Sequence, residues 1–423
     1  MQIKIAFYIP LSKSKDVLSN ANLKLGNPGV GGTQYLFLIT VQRLNEINGT
    51  GYAVLISDAE FGVHEKNIPY VFAQDEIHAI KYCESCSIST LIINANAIER
   101  FRKNAFTTNI DIYLWAHNTL SWKRQQLAAE IPAIKRVVCV SRSQFENMKT
   151  TPCSAKCVYI NNVFTEEFYR QSQCTDYSKR KVIYVGSIMP QKGVHNLLEI
   201  WRLVEKEIPD AQLFIFGGAN VWNPAAKLGK NTSADFYYDK VIRRRKDKLI
   251  HPENIHFMGA KGWREIEAFI RDARVGVVNP SYYMRDETFC MSAIEMEAHG
   301  LPVVSRQRGD GLRTTIKHLE TGYLEKRNAD IAKRIILLLN NKQLCKQMGQ
   351  NARNYVANFL IDKEVTKWSD LITEKKDIKN KSFLLKFKSK DALLLDRDML
   401  LRILFLLESG KMFDLVKKNL FRR

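Results

Sequence analysis

The feature that most constrains the fold is an alternation of short β-branched runs with segments of helical periodicity, and this alternation occurs twice along the 423 residues. Such a pattern is typical of parallel sheets whose strands are joined by crossover helices. A polar, basic stretch at residues 171–180 separates the two series, and a fresh strand begins at Lys181. The sequence therefore predicts an α/β protein with two doubly wound, Rossmann-like domains that face each other across a cleft.

Four segments are predicted. Residues 1–175 form a first domain, residues 176–355 a second, residues 356–373 a helix that returns to the first domain, and residues 374–423 a basic amphipathic helical tail. Strands of the first domain are predicted at Ile3–Ile9, Tyr52–Ser57, Thr90–Asn94, Asp111–Trp115, Val137–Ser141 and Val158–Asn161. Strands of the second are predicted at Lys181–Gly186, Gln212–Phe216, Ile255–Met258, Val275–Asn279 and Pro302–Val304, the last completing the sheet.

The net charge of +20 predicts a negatively charged partner: nucleic acid, an anionic membrane surface or a phosphorylated substrate. Residues 375–423 carry 14 Lys and Arg against 6 Asp and Glu, interleaved with Leu and Phe. Basic amphipathic helices of this kind bind anionic membranes, while a helical cap with a solvated charged face is the equal alternative. No apolar run approaches the roughly 18 residues of a spanning helix, so we expect a cytoplasmic protein, peripheral on the cytoplasmic face of the membrane.

Eight cysteines are scattered along the chain, and a long chain with this usage predicts reduced thiols rather than disulfides. Cys83 and Cys86 have metal-ligand spacing, and Cys153 with Cys157 would be the other half of a site, but the pairs lie far apart in sequence and free thiols are favoured. Asp396-Arg397-Asp398 is interpreted as a chance match to an Asp-x-Asp metal motif, since it falls on a helical pattern in the tail. No metal is predicted.

The most informative segment runs from Glu287 to Val304. Glu287 falls in the loop after a strand and Glu295 on the following helix, so both carboxylates can reach one crevice at the strand ends. The helix N-terminus between them presents unpaired N–H groups, so the backbone of Phe289, Cys290 and Met291 can bind a diphosphate. A buried Glu295 can accept hydrogen bonds from the two hydroxyls of a ribose. Glu297 is expected on the opposite side of the helix, in solvent.

The pattern Glu287, seven residues, Glu295, then Ala298-His299-Gly300-Leu301-Pro302-Val303 resembles the signature of the retaining glycosyltransferases of family 4, of the bacterial surface-polysaccharide and lipopolysaccharide type. The resemblance extends from about residue 3 to residue 373 and implies the GT-B fold. It also implies transfer of a sugar from a nucleotide-diphosphate sugar to a hydroxyl of a saccharide or lipid-linked saccharide, with retention, without metal and without cofactor. In this family the departing phosphate is thought to help deprotonate the acceptor. Glu287 would then bind the donor sugar and Glu295 the ribose.

Further landmarks of the resemblance follow strand ends. Gly186 to Gly193 looks like the family's phosphate loop, with Lys192 as the cation over the diphosphate. Ser187 stands where the family usually has arginine, so a second cation has to come from elsewhere, and Cys290 replaces a common glycine. Gly217 and Gly218 resemble the turn that lets backbone approach the nucleotide.

The first domain contributes two candidates. Gly31 and Gly32, between the first strand and the first long helix, look like the family's loop near the transferred sugar and acceptor, or form an ordinary flexible loop. His117 matches a family histidine that faces the cleft near the acceptor, with a structural role as the equal alternative. We take Glu287 and His117 as the candidate catalytic residues.

Two other functions remain as alternatives. A GT-B sugar-nucleotide epimerase has the same fold but no acceptor, and a non-enzymatic nucleic-acid-binding protein would use the +20 charge. The second is disfavoured because the chain has no nucleic-acid-binding motif and its basic residues cluster outside the strand-end loops. One such cluster lies in the insertion at residues 219–250, which either contacts an anionic acceptor or, slightly favoured, forms a solvated helix.

Overall fold

The computed structural model describes residues 4–59, 68–102, 108–172, 175–218, 236–282 and 287–373. Its two parallel sheets, flanked by helices, give the GT-B architecture that the sequence predicts. The tail at residues 374–423, with its Asp396-x-Asp398 sequence, lies outside the described residues, as do residues 219–235 of the basic insertion.

Within the described residues the first sheet has seven parallel strands in the order β3-β2-β1-β4-β5-β6-β7. These strands are β1 (Ile5–Tyr8), β2 (Ala53–Ser57), β3 (Tyr70–Phe72), β4 (Thr90–Asn94), β5 (Asp111–Ala116), β6 (Ile134–Cys139) and β7 (Cys157–Tyr159). The second sheet has six described strands in the order β10-β9-β8-β11-β12-β13. These are β8 (Lys181–Val185), β9 (Gln212–Phe216), β10 (Ile255–Gly259), β11 (Val275–Val278), β12 (Val303–Arg306) and β13 (Gly322–Glu325).

Helices cover both faces of each sheet. Those of the first half are α1 (Lys15–Leu18), α2 (Gly32–Asn48), α3 (Glu76–Ser85), α4 (Trp122–Glu130), α5 (Arg142–Met148) and α6 (Glu166–Gln171). Those of the second half are α7 (Val194–Glu207), α8 (Phe236–Lys246), α9 (Trp263–Ile270), α10 (Met291–Ala298), α11 (Asp310–Thr315), α12 (Asn328–Asn340), α13 (Lys342–Val356), α14 (Ile361–Glu364) and α15 (Thr366–Thr373).

All eleven predicted strands are present, with ends displaced by at most three residues, because fully buried parallel strands have continuous apolar sequences. The prediction that Pro302–Val304 completes the second sheet is wrong, since β13 pairs with β12 beyond it. The strand β3, which pairs with β2 at the edge of the first sheet, was also missed. Both are short edge strands, and β3 is only partly buried, so neither produces a strong hydrophobic run.

The chain returns to the first sheet at its described end. Trp368 of α15 is buried against Phe7 of β1 and Trp115 of β5, with ring centroids 5.6 and 4.8 Å away. Arg43 of α2 donates two hydrogen bonds to Asp362 of α14, at 2.5 and 2.7 Å. The described part of the chain contains no helix that is both long and apolar enough to cross a bilayer.

The strand order reverses at β1 in the first sheet and at β8 in the second, where neighbouring crossovers leave on opposite sides. Parallel sheets bind ligands at the carboxyl ends of strands beside such a switch point. The loops after β1, β8 and β11 therefore lead into one space between the two sheets. A cavity of about 330 Å³ occupies this space and is lined from both halves of the chain.

Candidate active site

Glu287 lies at the centre of the cavity wall that the second sheet provides. Its Oε2 atom accepts hydrogen bonds from Lys192 Nζ at 2.8 Å and from Asn279 Nδ2 at 2.6 Å. Lys192 comes from the loop after β8 and Asn279 from the residue that follows β11, so the switch point itself brings the three together. Burial alone would lower the pKa of Lys192, but the Glu287 carboxylate outweighs it and the pKa of the ammonium is raised. Lys192 is therefore a permanent cation in the cavity.

The N-terminus of α10 opens into the same cavity. Cys290 is its N-cap residue and gives no side-chain cap, so the first N–H groups of the helix stay available for an anion. Phe289, Cys290 and Met291 all line the cavity, as predicted for a diphosphate site. Cys290 has an ordinary φ of −91°, so this backbone does not require the glycine that the resemblance implies. Its buried thiol accepts a hydrogen bond from Asn279 Nδ2 at 3.5 Å.

Glu295 lies one to two turns further along α10 and is 4% exposed. Burial raises the pKa of its carboxyl to about 8, against a smaller opposing effect of the Trp263 indole N–H, which donates a hydrogen bond to it. The carboxyl lines the cavity together with Trp263 and Ile266 of α9. Glu295 is thus largely protonated at neutral pH, and hydrogen-bond donors to its carboxyl would favour the ionised form.

Glu297 lies on the same helix but does not face solvent, so that prediction is wrong. Its side chain is fully buried, accepts a hydrogen bond from Thr321 Oγ1 at 2.8 Å, and has no described partner at its second oxygen. Burial raises the pKa of Glu297 well above its usual range. The helix is covered on this side by α13, which periodicity alone does not show. Glu297 is not among the described residues that line the cavity.

The glycine loops of the second half also line the cavity, but their glycines serve the backbone first. A Cβ at Gly217 would lie 1.9 Å from the carbonyl oxygen of Gly186, so these two loops pack directly against each other. The packing of the two loops therefore requires glycine at position 217. The resemblance explains this glycine differently, by the close approach of the backbone to a nucleotide. Gly186 and Gly218 have more room, with the nearest atoms to an added Cβ at 3.0 and 3.3 Å.

The loop between β1 and α2 forms the facing wall. Gly31 is the N-cap of α2, and Gly32 begins the helix. A Cβ at Gly32 would lie 4.0 Å from Cγ of Met291, so this loop directly faces the N-terminus of α10. The same loop contacts the second half beside the cavity, where Trp263 N donates to Asn27 O at 3.1 Å.

His117 follows β5 and also lines the cavity. Its ring packs against Trp115, with centroids 4.6 Å apart, and its Nε2 atom has no hydrogen-bond partner among the described residues. Burial lowers the pKa of His117 to about 3, so the imidazole is neutral. A neutral ring with an unpaired nitrogen can donate a hydrogen bond to a sugar hydroxyl or accept one from it. It cannot supply a positive charge to the reaction.

Sequence reasoning missed several of the described cavity residues. They include Asn162, Asn279, Lys261, Trp263 and Ile266. Asn162 is 4% exposed, and its Oδ1 atom has no partner in the described part of the structure. Asn162 lies shortly after β7, which ends at Tyr159, and Asn279 directly follows β11, which ends at Val278. Inspection of every polar residue after a strand end would have found both. Trp263 and Ile266 carry no such signal, since their apolar side chains are typical of any amphipathic helix.

The cations of the cavity are few. Among the described lining residues they are Lys192 and Lys261, while Ser187 is 8% exposed where the resemblance implies arginine. Lys261 lies on the loop that leads into α9. Its Nζ atom forms an ion pair with Oε1 of Glu265 in that helix, at 2.7 Å. It is the described residue best placed to supply a second positive charge.

No described residues form a cluster of three or more His, Cys, Asp or Glu side chains able to hold a metal ion. Cys83 and Cys86 lie at the end of α3, whereas Cys153 and Cys157 lie beside β7. The seven cysteines in the described ranges are free thiols, as the sequence predicted.

Sequence comparison finds proteins similar to this chain. Residues 165–355 match the family Glycosyl transferases group 1. That segment contains Lys192, Glu287 and Glu295 together with the α10 N-terminus. An uncharacterized glycosyltransferase of Haemophilus influenzae is 22% identical over 335 residues, which cover 74% of this chain and 86% of that protein. A trehalose synthase of Pyrococcus horikoshii is 27% identical over 198 residues, which cover 47% of this chain and 44% of that enzyme.

The solved structures extend the similarity to both sheets. The Anabaena protein HepE, in complex with UDP and glucose, superposes with a TM-score of 0.65 at 14% identity, covering 88% of this chain and all of that one. At this identity the likeness shows the fold. Together, the matches show that the chain has the GT-B fold and that residues 165–355 are similar to glycosyltransferases of group 1.

Proposed function

We propose that the protein transfers a sugar from a nucleotide-diphosphate sugar to a hydroxyl of a saccharide or lipid-linked saccharide, with retention at the anomeric carbon and without a metal. Residues 1–175 would bind the acceptor and residues 176–355 the donor. The observation that carries this proposal is the arrangement of Lys192, Glu287 and the uncapped α10 N-terminus around one cavity. A cation and free backbone N–H groups on one wall suit a diphosphate that leaves with negative charge.

The donor would lie along the second half of the chain. The diphosphate contacts the amides of Phe289, Cys290 and Met291 and the ammonium of Lys192. The ribose donates its hydroxyls to Glu295, and the base lies toward Trp263. HepE binds UDP and glucose, which supports a nucleotide and a sugar in this space.

The transferred sugar would lie between Glu287 and His117. Both described carboxyls of the cavity are already engaged, Glu287 by Lys192 and Asn279, and Glu295 by the Trp263 indole. This favours a front-face reaction, in which the phosphate oxygen that leaves the anomeric carbon takes the proton of the attacking hydroxyl. Glu287 would stabilise positive charge on the sugar ring, and Lys192 would stabilise charge on the departing phosphate.

The positive net charge of the chain is the observation that bears on the acceptor. The +20 excess and the basic tail support a partner on an anionic membrane surface, consistent with a peripheral cytoplasmic enzyme. A nucleic-acid partner is not part of this proposal.

The test is thermal stabilisation of the full chain by UDP-, ADP- and GDP-sugars in EDTA. A ligand at 100 times its dissociation constant should add about 2.7 kcal/mol to the free energy of unfolding. Glu295→Gln should lose this stabilisation, while Glu297→Gln, a change of the same type on the same helix but away from the cavity, should keep it. If Glu295→Gln binds the nucleotide sugar as the parent does, the donor-site assignment is wrong.

Product analysis separates transfer from epimerisation. With the stabilising nucleotide sugar and a saccharide acceptor, a retained anomeric configuration in the new linkage is expected by NMR. Conversion of the donor sugar to its epimer without an acceptor would instead establish the epimerase alternative.

A further inference from the structure

Thr288 follows Glu287 directly and reaches across the cleft. Its Oγ1 atom donates a hydrogen bond to the backbone oxygen of His117 at 2.6 Å. In the opposite direction, Ser141 Oγ donates to the backbone oxygen of Thr288 at 2.7 Å. Thr288 is 5% exposed and Ser141 is fully buried, so water competes little for either bond. One residue of the second half is thus hydrogen-bonded twice to the first half.

The His117 segment is fixed in turn from its own side. Gln144 of α5 donates through Nε2 to the backbone oxygen of Ala116 at 2.9 Å and accepts a hydrogen bond from Val140 N at 2.8 Å. Ser141 caps α5 by accepting from the amide of Gln144 at 3.1 Å. These hydrogen bonds hold both partners of Thr288 at the start of α5. Ser141 is the N-cap of this helix, and the backbone next to His117 is bonded to its Gln144.

The Glu287 segment has a comparable support. A Cβ at Gly311 would lie 1.9 Å from the backbone oxygen of Glu287, so α11 packs directly beneath this loop. The residues before it, 283–286, lie outside the described ranges. Within the described part, the bond from Thr288 to His117 joins the segments that carry Glu287 and His117 directly, and the second bond joins Thr288 to Ser141 at the start of α5.

We propose that Thr288 is a positioning residue that sets the distance between Glu287 and His117 across the cavity. This proposal rests on the proposed function, since it assigns both groups to the transferred sugar. The two groups follow strands of different sheets, and no hydrogen bond joins their side chains among the described residues. Thr288 is adjacent to Glu287 in sequence and is bonded to the backbone of His117, so it fixes the spacing of the two.

The experiment compares Thr288→Val, which keeps the shape of the side chain but removes the hydroxyl, with Thr288→Ser, which keeps the hydroxyl. The chain is the full protein, and the substrates are the nucleotide sugar that stabilises it and a saccharide acceptor. Thr288→Val should lower kcat by about 3- to 10-fold, the effect of one hydrogen bond, with the KM for the donor changed less than about twofold. Thr288→Ser should restore most of kcat.

Tyr169→Phe is the matched control, since it also removes only a hydroxyl. The Tyr169 hydroxyl donates to the backbone oxygen of Arg353 at 3.2 Å, a hydrogen bond between residues 1–175 and residues 176–355 that does not involve the cavity or the partners of Thr288. This variant should keep the parental kcat. An equal loss in Tyr169→Phe, or no rescue by Thr288→Ser, would overturn the positioning role and indicate only a general contribution to the packing of the two halves.

The remaining outcomes are also decisive. If the parent transfers sugar and Thr288→Val has the parental kcat, the positioning role is wrong and the proposed function stands. If the parent binds no nucleotide sugar in the thermal panel, the proposed function fails, and the positioning role fails with it.

Discussion

The raised pKa of Glu295 makes donor binding depend on pH in a way that can be calculated. Burial brings this pKa to about 8. In the proposed donor complex the two ribose hydroxyls donate to Glu295, and because a carboxylate is the stronger acceptor, binding favours release of the proton. At pH 6.5 about one Glu295 in thirty is ionised, and at pH 8 about half are ionised. The affinity should therefore rise about 15-fold between pH 6.5 and pH 8 and level off above pH 9.

The other shifted groups of the cavity keep one charge state over this range. His117 is neutral because its pKa is lowered to about 3. Burial raises the pKa of the Cys290 thiol, and the raised pKa of Lys192 keeps the ammonium charged. A nucleotide sugar is esterified at both ends of its diphosphate, so the ligand itself does not titrate between pH 6.5 and 8.5. The expected pH dependence therefore belongs to Glu295.

The assay is isothermal titration calorimetry in buffers of different ionisation enthalpy, which counts the protons released on binding. Close to one proton per site is expected at pH 6.5, and none above pH 9. Trp263→Phe should shift the whole profile to higher pH, because it removes the indole N–H that lowers the pKa of Glu295. In Glu295→Gln the affinity should be weak and flat. A parental affinity that is flat from pH 6.5 to 8.5, with no proton release, would refute the reasoning.

Three further predictions concern stability and charge. Glu297→Gln should raise the urea midpoint of unfolding at pH 8, because burial keeps Glu297 protonated in the folded state while the unfolded chain releases the proton. The difference in midpoint between the variant and the parent should disappear toward pH 4.5, and identical pH profiles of the two proteins would contradict this. Gly217→Ala should cost about 1–3 kcal/mol in urea unfolding, because the new methyl group meets the Gly186 carbonyl, whereas Gly218→Ala should cost clearly less. Lys261→Ala should raise the KM for the nucleotide sugar severalfold and Lys261→Arg should not; an unchanged KM in steady-state assays would exclude Lys261 as the second phosphate cation.

The sequence by itself determined the two-sheet fold and the main candidates of the site. Continuous apolar runs mark the buried strands because both faces of a parallel sheet are covered. Glu287 and Glu295 were found because one follows a strand and the other lies on the next helix, positions that local periodicity shows. Lys192 was found because its loop resembles the phosphate loop of the family. Their convergence on one cavity follows from the rule that ligands bind at the carboxyl ends of the strands.

The tertiary structure alone decided which groups meet. Lys192 and Glu287 are 95 residues apart in sequence, and Thr288 and His117 are 171 apart, so no local pattern records their contact. Glu297 was placed in solvent because helical periodicity gives direction around the helix axis but not what covers each face. In the folded chain α13 packs against that face, and a carboxyl expected in water becomes a buried acid whose ionisation opposes folding.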